Sequence, residues 1–201
     1  MKSHRNSDFE TPFSDIILVS PGWTTYAPQV RLAKQRSFVV NTSMETQWKV
    51  TPQALTELVD LNPDMSSYKL LILNNPGNPS GTVYTAEELQ ALAVICRQKQ
   101  IIVLSDEIYS LLNFNGNHSS LLDFYPEGTL VTSGFSKWSS AGGWRIGYII
   151  IPKELNTMNR ILQSAASQTY SCAPAPMQYA IAQVIAPLIF WVGFIYIFFC
   201  S

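Results

Sequence analysis

The chain has 201 residues and a formal net charge of −1, from 13 lysines and arginines against 14 aspartates and glutamates. This length suffices for one substantial hydrophobic core. The balanced charge, without a basic run, makes nucleic acid an unexpected partner. Three cysteines without Cys-x-x-Cys spacing argue against a disulfide scaffold and a zinc site, so no metal site is expected.

Apolar segments alternate with helical patterns along the chain, as the layers of an α/β protein require. Thr51-Pro52 and the capping box Thr85-Ala-Glu-Glu88 mark two helix starts. In chain order, the predicted elements are strand Asp15–Ser20, helix Tyr26–Gln35, strand Ser37–Thr42, helix Thr51–Leu61, strand Leu70–Asn74, helix Thr85–Lys99, strands Ile101–Ser105, Thr129–Ser133 and Trp144–Ile151, and helix Pro152–Ser167.

A tight turn follows the strand that begins at Leu70. The segment Asn75-Pro-Gly-Asn-Pro-Ser-Gly81 contains two prolines and two glycines, which force a turn at the strand end. The side-chain amide of Asn78 either donates a hydrogen bond to a ligand oxygen there or caps its own backbone.

Two acidic residues follow the next strand, in the segment Ile101-Ile-Val-Leu-Ser-Asp-Glu-Ile-Tyr109. Ligands of open α/β sheets bind beyond the carboxyl ends of the strands. Asp106 can there keep a pyridine nitrogen protonated, and Tyr109 can hydrogen-bond to a phenolic oxygen of the same ring. A helix N-terminus, which favours acidic residues, would explain one of the two acids but not the combination of Asp106, Glu107 and Tyr109.

The most informative segment is Ser133-Gly-Phe-Ser-Lys-Trp-Ser-Ser-Ala-Gly-Gly-Trp-Arg-Ile-Gly147. Lys137 lies among small and hydroxyl residues, where a partly dry setting favours the neutral amine that attacks a carbonyl. Arg145 offers a planar fork of donors that fits a phosphate. A lysine that forms Schiff bases beside a phosphate clamp suggests pyridoxal phosphate (PLP) as cofactor. Taken alone, the segment is equally compatible with an ordinary loop.

The order and spacing of these three motifs resemble the class I/II aminotransferases, which are PLP enzymes of fold type I. The resemblance implies that Lys137 forms the Schiff base with PLP and later carries a proton, while Asp106 pairs with the pyridine nitrogen. It also implies that Asn78 and Tyr109 bond the phenolic oxygen of the cofactor, and that Arg145 binds its phosphate.

Two further cofactor-binding positions follow less directly from the resemblance. Trp23, in the short motif Ser20-Pro-Gly-Trp23, matches the aromatic residue that stacks on the cofactor, unless it is a core or interface tryptophan. The family commonly has a phosphate-binding serine three residues before the lysine, where this chain has Gly134. Ser133 and Ser136 are the candidates to replace it, and the predicted set includes Ser136.

The resemblance implies an α/β fold over residues 15–183, as part of a PLP-dependent transferase large domain with a mostly parallel central sheet flanked by helices. It implies a homodimer that transfers an amino group between an amino acid and a 2-oxo acid. The cysteine pattern is consistent with a reducing compartment, so a cytoplasmic location is expected, or a membrane-associated one through the C-terminal tail. Two alternatives remain, a PLP lyase of the same fold and a catalytically incomplete, membrane-associated form. The glycine-rich phosphate cup and the arginine for the substrate carboxylate have no counterpart here, so a partial, truncated chain is expected.

The two ends of the chain differ in character from the middle. Residues 1–14 are polar and contain no apolar stretch typical of a secretory signal. Val184–Cys200 is apolar throughout, and its 17 residues reach the lower limit of a membrane-spanning helix. The tail 184–201 is thus either a membrane anchor, non-native sequence from truncation, or a buried apolar helix. His4 and His118 stand apart from every motif and are expected at the surface.

Overall fold

The computed structural model describes residues 15–114, 116 and 118–185. Its centre is a six-stranded sheet in the order β2-β1-β3-β4-β5-β6. The first five strands are parallel and the last is antiparallel to its neighbour. The strands are β1 (Asp15–Ser20), β2 (Arg36–Asn41), β3 (Lys69–Asn74), β4 (Ile101–Asp106), β5 (Thr129–Gly134) and β6 (Gly147–Ile150). The predicted mostly parallel sheet is confirmed.

Three α-helices connect the first four strands, as parallel pairing requires, and two more follow the last strand. They are α1 (Tyr26–Leu32), α2 (Pro52–Asp60), α3 (Ala86–Gln98), α4 (Asn156–Thr169) and α5 (Ala175–Ile185). Thr51 accepts a hydrogen bond from the Ala54 N–H, and Thr85 and Glu88 form both bonds of the capping box. Both helix starts that the sequence predicts are therefore confirmed.

The structure corrects the prediction in the segment after the lysine motif. The predicted strand from Trp144 begins only at Gly147, because Gly142–Trp144 forms a 3-10 turn and Arg145 has left-handed backbone angles, φ 57° and ψ 50°. Such angles are incompatible with an extended strand. The helix predicted from Pro152 begins at Asn156, after a second 3-10 turn, and α5 was not predicted.

The apolar tail predicted over 184–201 begins inside α5, and from residue 186 onward it lies outside the described residues. Residues 1–14 lie outside them too. Among the helices that the structure describes, none is long and apolar enough to cross a membrane.

Side chains alternate between the two faces of the sheet, and both faces are covered. On one face, Ile17, Leu71 and Val103 pack against Leu55 of α2 and Leu89 of α3, and all five are fully buried. On the other face, a smaller cluster joins the strands to α1 (Ile16, Leu18, Ile72 and Val30). Because both faces are buried, the central strands are almost continuously apolar in sequence.

Replacing Leu89 with alanine should lower the free energy of unfolding by about 3 kcal/mol, because the side chain is fully buried between α3 and the sheet and its loss leaves a cavity. Urea unfolding measures the change. Leu32→Ala is the matched control, since Leu32 is 83% exposed and should change stability by no more than about 0.5 kcal/mol. Equal losses in the two variants would contradict the described core.

Candidate active site

The carboxyl ends of the parallel strands meet at one edge of the sheet. Asn74 at the end of β3 pairs with Asp106 at the end of β4, and Asp106 pairs in turn with Thr132 of β5. The strand order reverses between β1 and β3, since β2 lies on one side of β1 and the later strands lie on the other. Open α/β sheets bind ligands at such a switch point.

A cavity of about 190 Å³ opens at this edge. Its lining residues are Trp23, Tyr26, Asn74, Asn78, Asp106, Ile108, Tyr109, Thr132, Ser133 and Lys137. A neighbouring cleft of about 460 Å³ shares Asn78 and Tyr109 with it. Five residues of the predicted cofactor-binding set, from four separate motifs, thus line one cavity: Trp23, Asn78, Asp106, Tyr109 and Lys137.

Hydrogen bonds fix Asp106 at both its carboxylate and its backbone. The Tyr26 hydroxyl donates to Oδ2, and the Ile108 N–H donates to Oδ1 at 3.3 Å. The backbone carbonyl accepts from the Asn74 side chain at 2.9 Å and from the Asn75 N–H at 3.0 Å. Burial raises the pKa of the Asp106 carboxyl, whereas the two hydrogen bonds to its carboxylate lower it.

Tyr26 is a site residue that the sequence analysis missed. It is the first residue of α1, and its ring meets the Trp23 ring edge-on, with centroids 5.2 Å apart and an interplanar angle of 87°. Burial and the neighbouring Asp106 raise the pKa of the Tyr26 hydroxyl, so it stays protonated and donates. Its position three residues after Trp23 is the only sequence signal that points to it.

Replacing Tyr26 with phenylalanine should lower the free energy of unfolding by about 1.5 kcal/mol at neutral pH, because a part-buried carboxylate loses a hydrogen-bond donor. The loss raises the pKa of Asp106 further in the folded chain. The difference between variant and parent is therefore full above the folded pKa of Asp106 in the variant, and it is lost as the pH falls through the folded pKa in the parent, below which the carboxyl is protonated in both.

Chemical unfolding at a series of pH values measures this difference. Tyr68→Phe is the matched control, since Tyr68 is 53% exposed and should change stability by no more than about 0.5 kcal/mol. A Tyr26→Phe effect that is the same at acidic and neutral pH would contradict the bond to an ionised Asp106.

The Asn78 turn resolves an alternative that the sequence left open. The backbone N–H of Asn78 donates to the Asn74 side chain at 2.7 Å, so Asn74 caps this turn. The Asn78 amide instead points to the Tyr109 hydroxyl, at 3.5 Å. Both groups line the cavity, where they are available to hydrogen-bond with an oxygen of a ligand.

Lys137 lies in a loop that begins at the end of β5. The loop is closed by hydrogen bonds to the Phe135 carbonyl, from the Ala141 N–H at 3.1 Å and from the Ser139 hydroxyl at 2.6 Å. The Lys137 ammonium lies 5.6 Å from the centroid of the Tyr109 ring. Among the described residues, the Lys137 side chain is exposed, rather than in the partly dry setting that the sequence suggested.

The remaining predicted residues lie outside the cavity lining. Ser136 does not line it, whereas Ser133 does, and the Ser133 hydroxyl donates to the Glu107 carbonyl at 3.2 Å. A Cβ on Gly134 would lie 2.9 Å from the Ile146 carbonyl oxygen, so a serine does not fit at that position with this backbone. Arg145 is exposed, and its guanidinium donates to the Gly142 carbonyl at 2.8 Å.

Comparison with known proteins identifies the family. The sequence model described as "Aminotransferase class I and II" matches residues 9–190. The chain belongs to this aminotransferase family. An aspartate aminotransferase of Geobacillus stearothermophilus is 35% identical over 170 residues, which are 83% of this chain and 41% of that protein. An asparagine–oxo-acid transaminase of Streptococcus mutans is 32% identical over 179 residues, 87% of this chain and 43% of the relative.

Solved aminotransferase structures share the fold. The aspartate aminotransferase of Thermus thermophilus with maleate superimposes with a TM-score of 0.78 at 32% identity, over 88% of this chain and 44% of that structure. The aromatic aminotransferase of Pyrococcus horikoshii OT3 gives a TM-score of 0.73 at 27% identity. The chain thus spans less than half the length of these aminotransferase relatives.

Proposed function

We propose that this chain binds PLP and forms the large-domain part of an aminotransferase site, which transfers an amino group between an amino acid and a 2-oxo acid. The observation that carries the proposal is the meeting of Lys137, Asp106, Asn78, Tyr109 and Trp23 at one cavity. Their chemistry fits the pyridine ring and the aldehyde of PLP, because it combines an amine, a carboxylate, an amide, a phenol and an aromatic ring.

Each of these residues has a distinct proposed task. The Lys137 amine would bind the cofactor aldehyde covalently and later move the proton of the substrate's α carbon. Asp106 would hold a proton on the pyridine nitrogen, Asn78 and Tyr109 would bind the phenolic oxygen, and Trp23 would cover the ring. When bound, PLP supplies the electron-poor ring that withdraws electrons from the substrate's α carbon.

Fewer of the described residues are placed to bind the phosphate of PLP than to bind its ring. Ser133 is the one predicted candidate for this role that lines the cavity, and its hydroxyl, which donates to the Glu107 carbonyl, would have to turn to the phosphate. Arg145 and Ser136 stay predictions, since the Arg145 guanidinium contacts Gly142 and Ser136 lies off the lining.

Aspartate is the amino acid we propose to test first, since several relatives are named as aspartate aminotransferases. The family resemblance also supports a homodimer with residues 15–183 as its large-domain part, and a cytoplasmic location. The names of these relatives give no support to the lyase alternative.

The proposed function is tested by mixing the full chain with PLP, aspartate and 2-oxoglutarate and measuring oxaloacetate and glutamate. Paired formation of both products is expected. Covalent PLP binding without either product would limit the function to cofactor binding. Release of ammonia in place of glutamate would contradict amino-group transfer.

A further inference from the structure

The residue after Asp106, Glu107, carries a second carboxylate, which does not line the cavity. Glu107 is only 5% exposed, and three side chains contact its two oxygens. The Ser105 and Ser120 hydroxyls donate to Oε1 at 2.9 and 2.6 Å, and His118 Nε2 lies 2.8 Å from Oε2. A buried carboxylate is tolerated only when such partners satisfy it. His118 is thus half-buried and paired, which corrects the expectation that it lies at the surface.

The loop that carries His118 also forms a hydrogen bond with the turn that begins at Asn75 and carries Asn78. The Asn75 side chain donates to the Ser119 carbonyl at 3.1 Å, and the Asn75 N–H donates to the Asp106 carbonyl at 3.0 Å. The segment His118–Ser120 therefore bonds to Glu107 on one side and to the Asn75 turn on the other. These bonds link the backbone around Asp106 to the turn that carries Asn78.

The charge of Glu107 also acts on its neighbour. Burial is the main cause of the raised pKa of Asp106, and the negative charge of the adjacent Glu107 raises it further. His118 is the only side chain among the described residues within salt-bridge distance of Glu107 that can carry a positive charge. Its other ring nitrogen, Nδ1, is buried without a hydrogen-bond partner among the described residues, so Nε2 is the atom through which the ring is held.

We propose that His118 and Glu107 are positioning residues, which hold the Asp106 carboxylate in place for the pyridine nitrogen of PLP. The proposal rests on the proposed function, because it needs PLP in the cavity. Neither residue lines that cavity, so neither would contact PLP itself, and the effect proposed here is on the carboxylate of Asp106. Removing the His118 contact should therefore weaken the part of PLP binding that depends on the ring nitrogen.

The test compares two ligands on the full chain, PLP and a carbocyclic analogue in which C–H replaces the ring nitrogen. His118→Leu, which removes the contact to Glu107, should raise the Kd for PLP roughly five- to tenfold, in the range of other supporting-residue effects. The Kd for the analogue should change by less than about twofold, since it offers no nitrogen to Asp106. His118→Gln keeps an N–H donor and should restore most of the PLP affinity.

Glu127→Gln is the matched control, because Glu127 pairs with Arg97 at the surface, and it should leave both Kd values unchanged. Circular dichroism verifies that each variant is folded. If His118→Leu raises the Kd for PLP and for the analogue equally, the role of His118 is purely structural and the proposal is overturned. An unchanged Kd for PLP would overturn it as well. If the parent chain binds neither ligand, the proposed function fails first, which distinguishes the two failures.

Discussion

Replacing Lys137 with alanine is expected to abolish covalent capture of PLP. The parent chain should develop a visible absorbance band with PLP, and borohydride should fix the cofactor to the protein. Lys137 is the lysine that lines the cavity at the strand ends, so its loss should reduce fixed cofactor to background, a decrease of about 100-fold or more. Absorbance spectroscopy and the mass of the reduced protein measure this outcome.

Lys153→Ala is the matched control for this experiment. Lys153 is a surface lysine whose side chain is 91% exposed, and it lies outside the cavity lining. This variant should capture PLP like the parent chain. Fixed cofactor that survives in Lys137→Ala at the parent level would show that another amine holds PLP.

Replacing Asp106 with asparagine should damage the chemical step far more than cofactor capture. The neutral amide cannot sustain the positive charge of a protonated pyridine nitrogen, so we expect amino-acid-driven conversion to slow by about 100-fold or more, in the range found when one group that stabilises the charge of a transition state is removed. Covalent capture should persist at saturating PLP, because Lys137 is unchanged, although the Kd for PLP should rise. Stopped-flow absorbance with aspartate measures the conversion rate, and borohydride fixation measures the capture.

Asp106→Asn should also stabilise the cofactor-free chain at neutral pH. Burial raises the pKa of Asp106, so ionising it costs free energy in the folded state. This cost is absent below the unfolded pKa of about 4 and full above the folded pKa, and the amide removes it. Asp60→Asn, at a carboxylate that is 58% exposed and paired with Lys99, is the control; it should leave the rate unchanged and should not stabilise the chain, since it loses only a surface ion pair. Conversion at the parent rate in Asp106→Asn would contradict the role of Asp106.

The sequence predicted much of the site because each motif follows its own strand. Parallel strands end at a common edge, so the turn after β3, the acid at the end of β4 and the lysine after β5 must meet once these strands are neighbours. The apolar runs and helix caps that mark those strands and helices are local signals. The meeting of Asn78, Asp106 and Lys137 therefore needed only local patterns and the family's strand order.

Other parts of the site depend on contacts that no local pattern encodes. Tyr26 reaches Asp106 across 80 residues of sequence, and its hydroxyl contact depends on how α1 is oriented on the sheet. His118 is half-buried because it pairs with the buried Glu107, although the sequence around His118 is typical of an exposed polar loop. Arg145 has a left-handed backbone conformation, and its guanidinium bonds to the Gly142 carbonyl. An arginine in the sequence does not predict that conformation.

The most direct test of the proposed function is to identify the lysine that binds the cofactor covalently. The full chain is incubated with PLP, reduced with borohydride, digested, and mapped by mass spectrometry. We expect one dominant modified peptide, with the phosphopyridoxyl group on Lys137. Modification spread over surface lysines such as Lys34 and Lys153, with Lys137 no more reactive than they are, would contradict it.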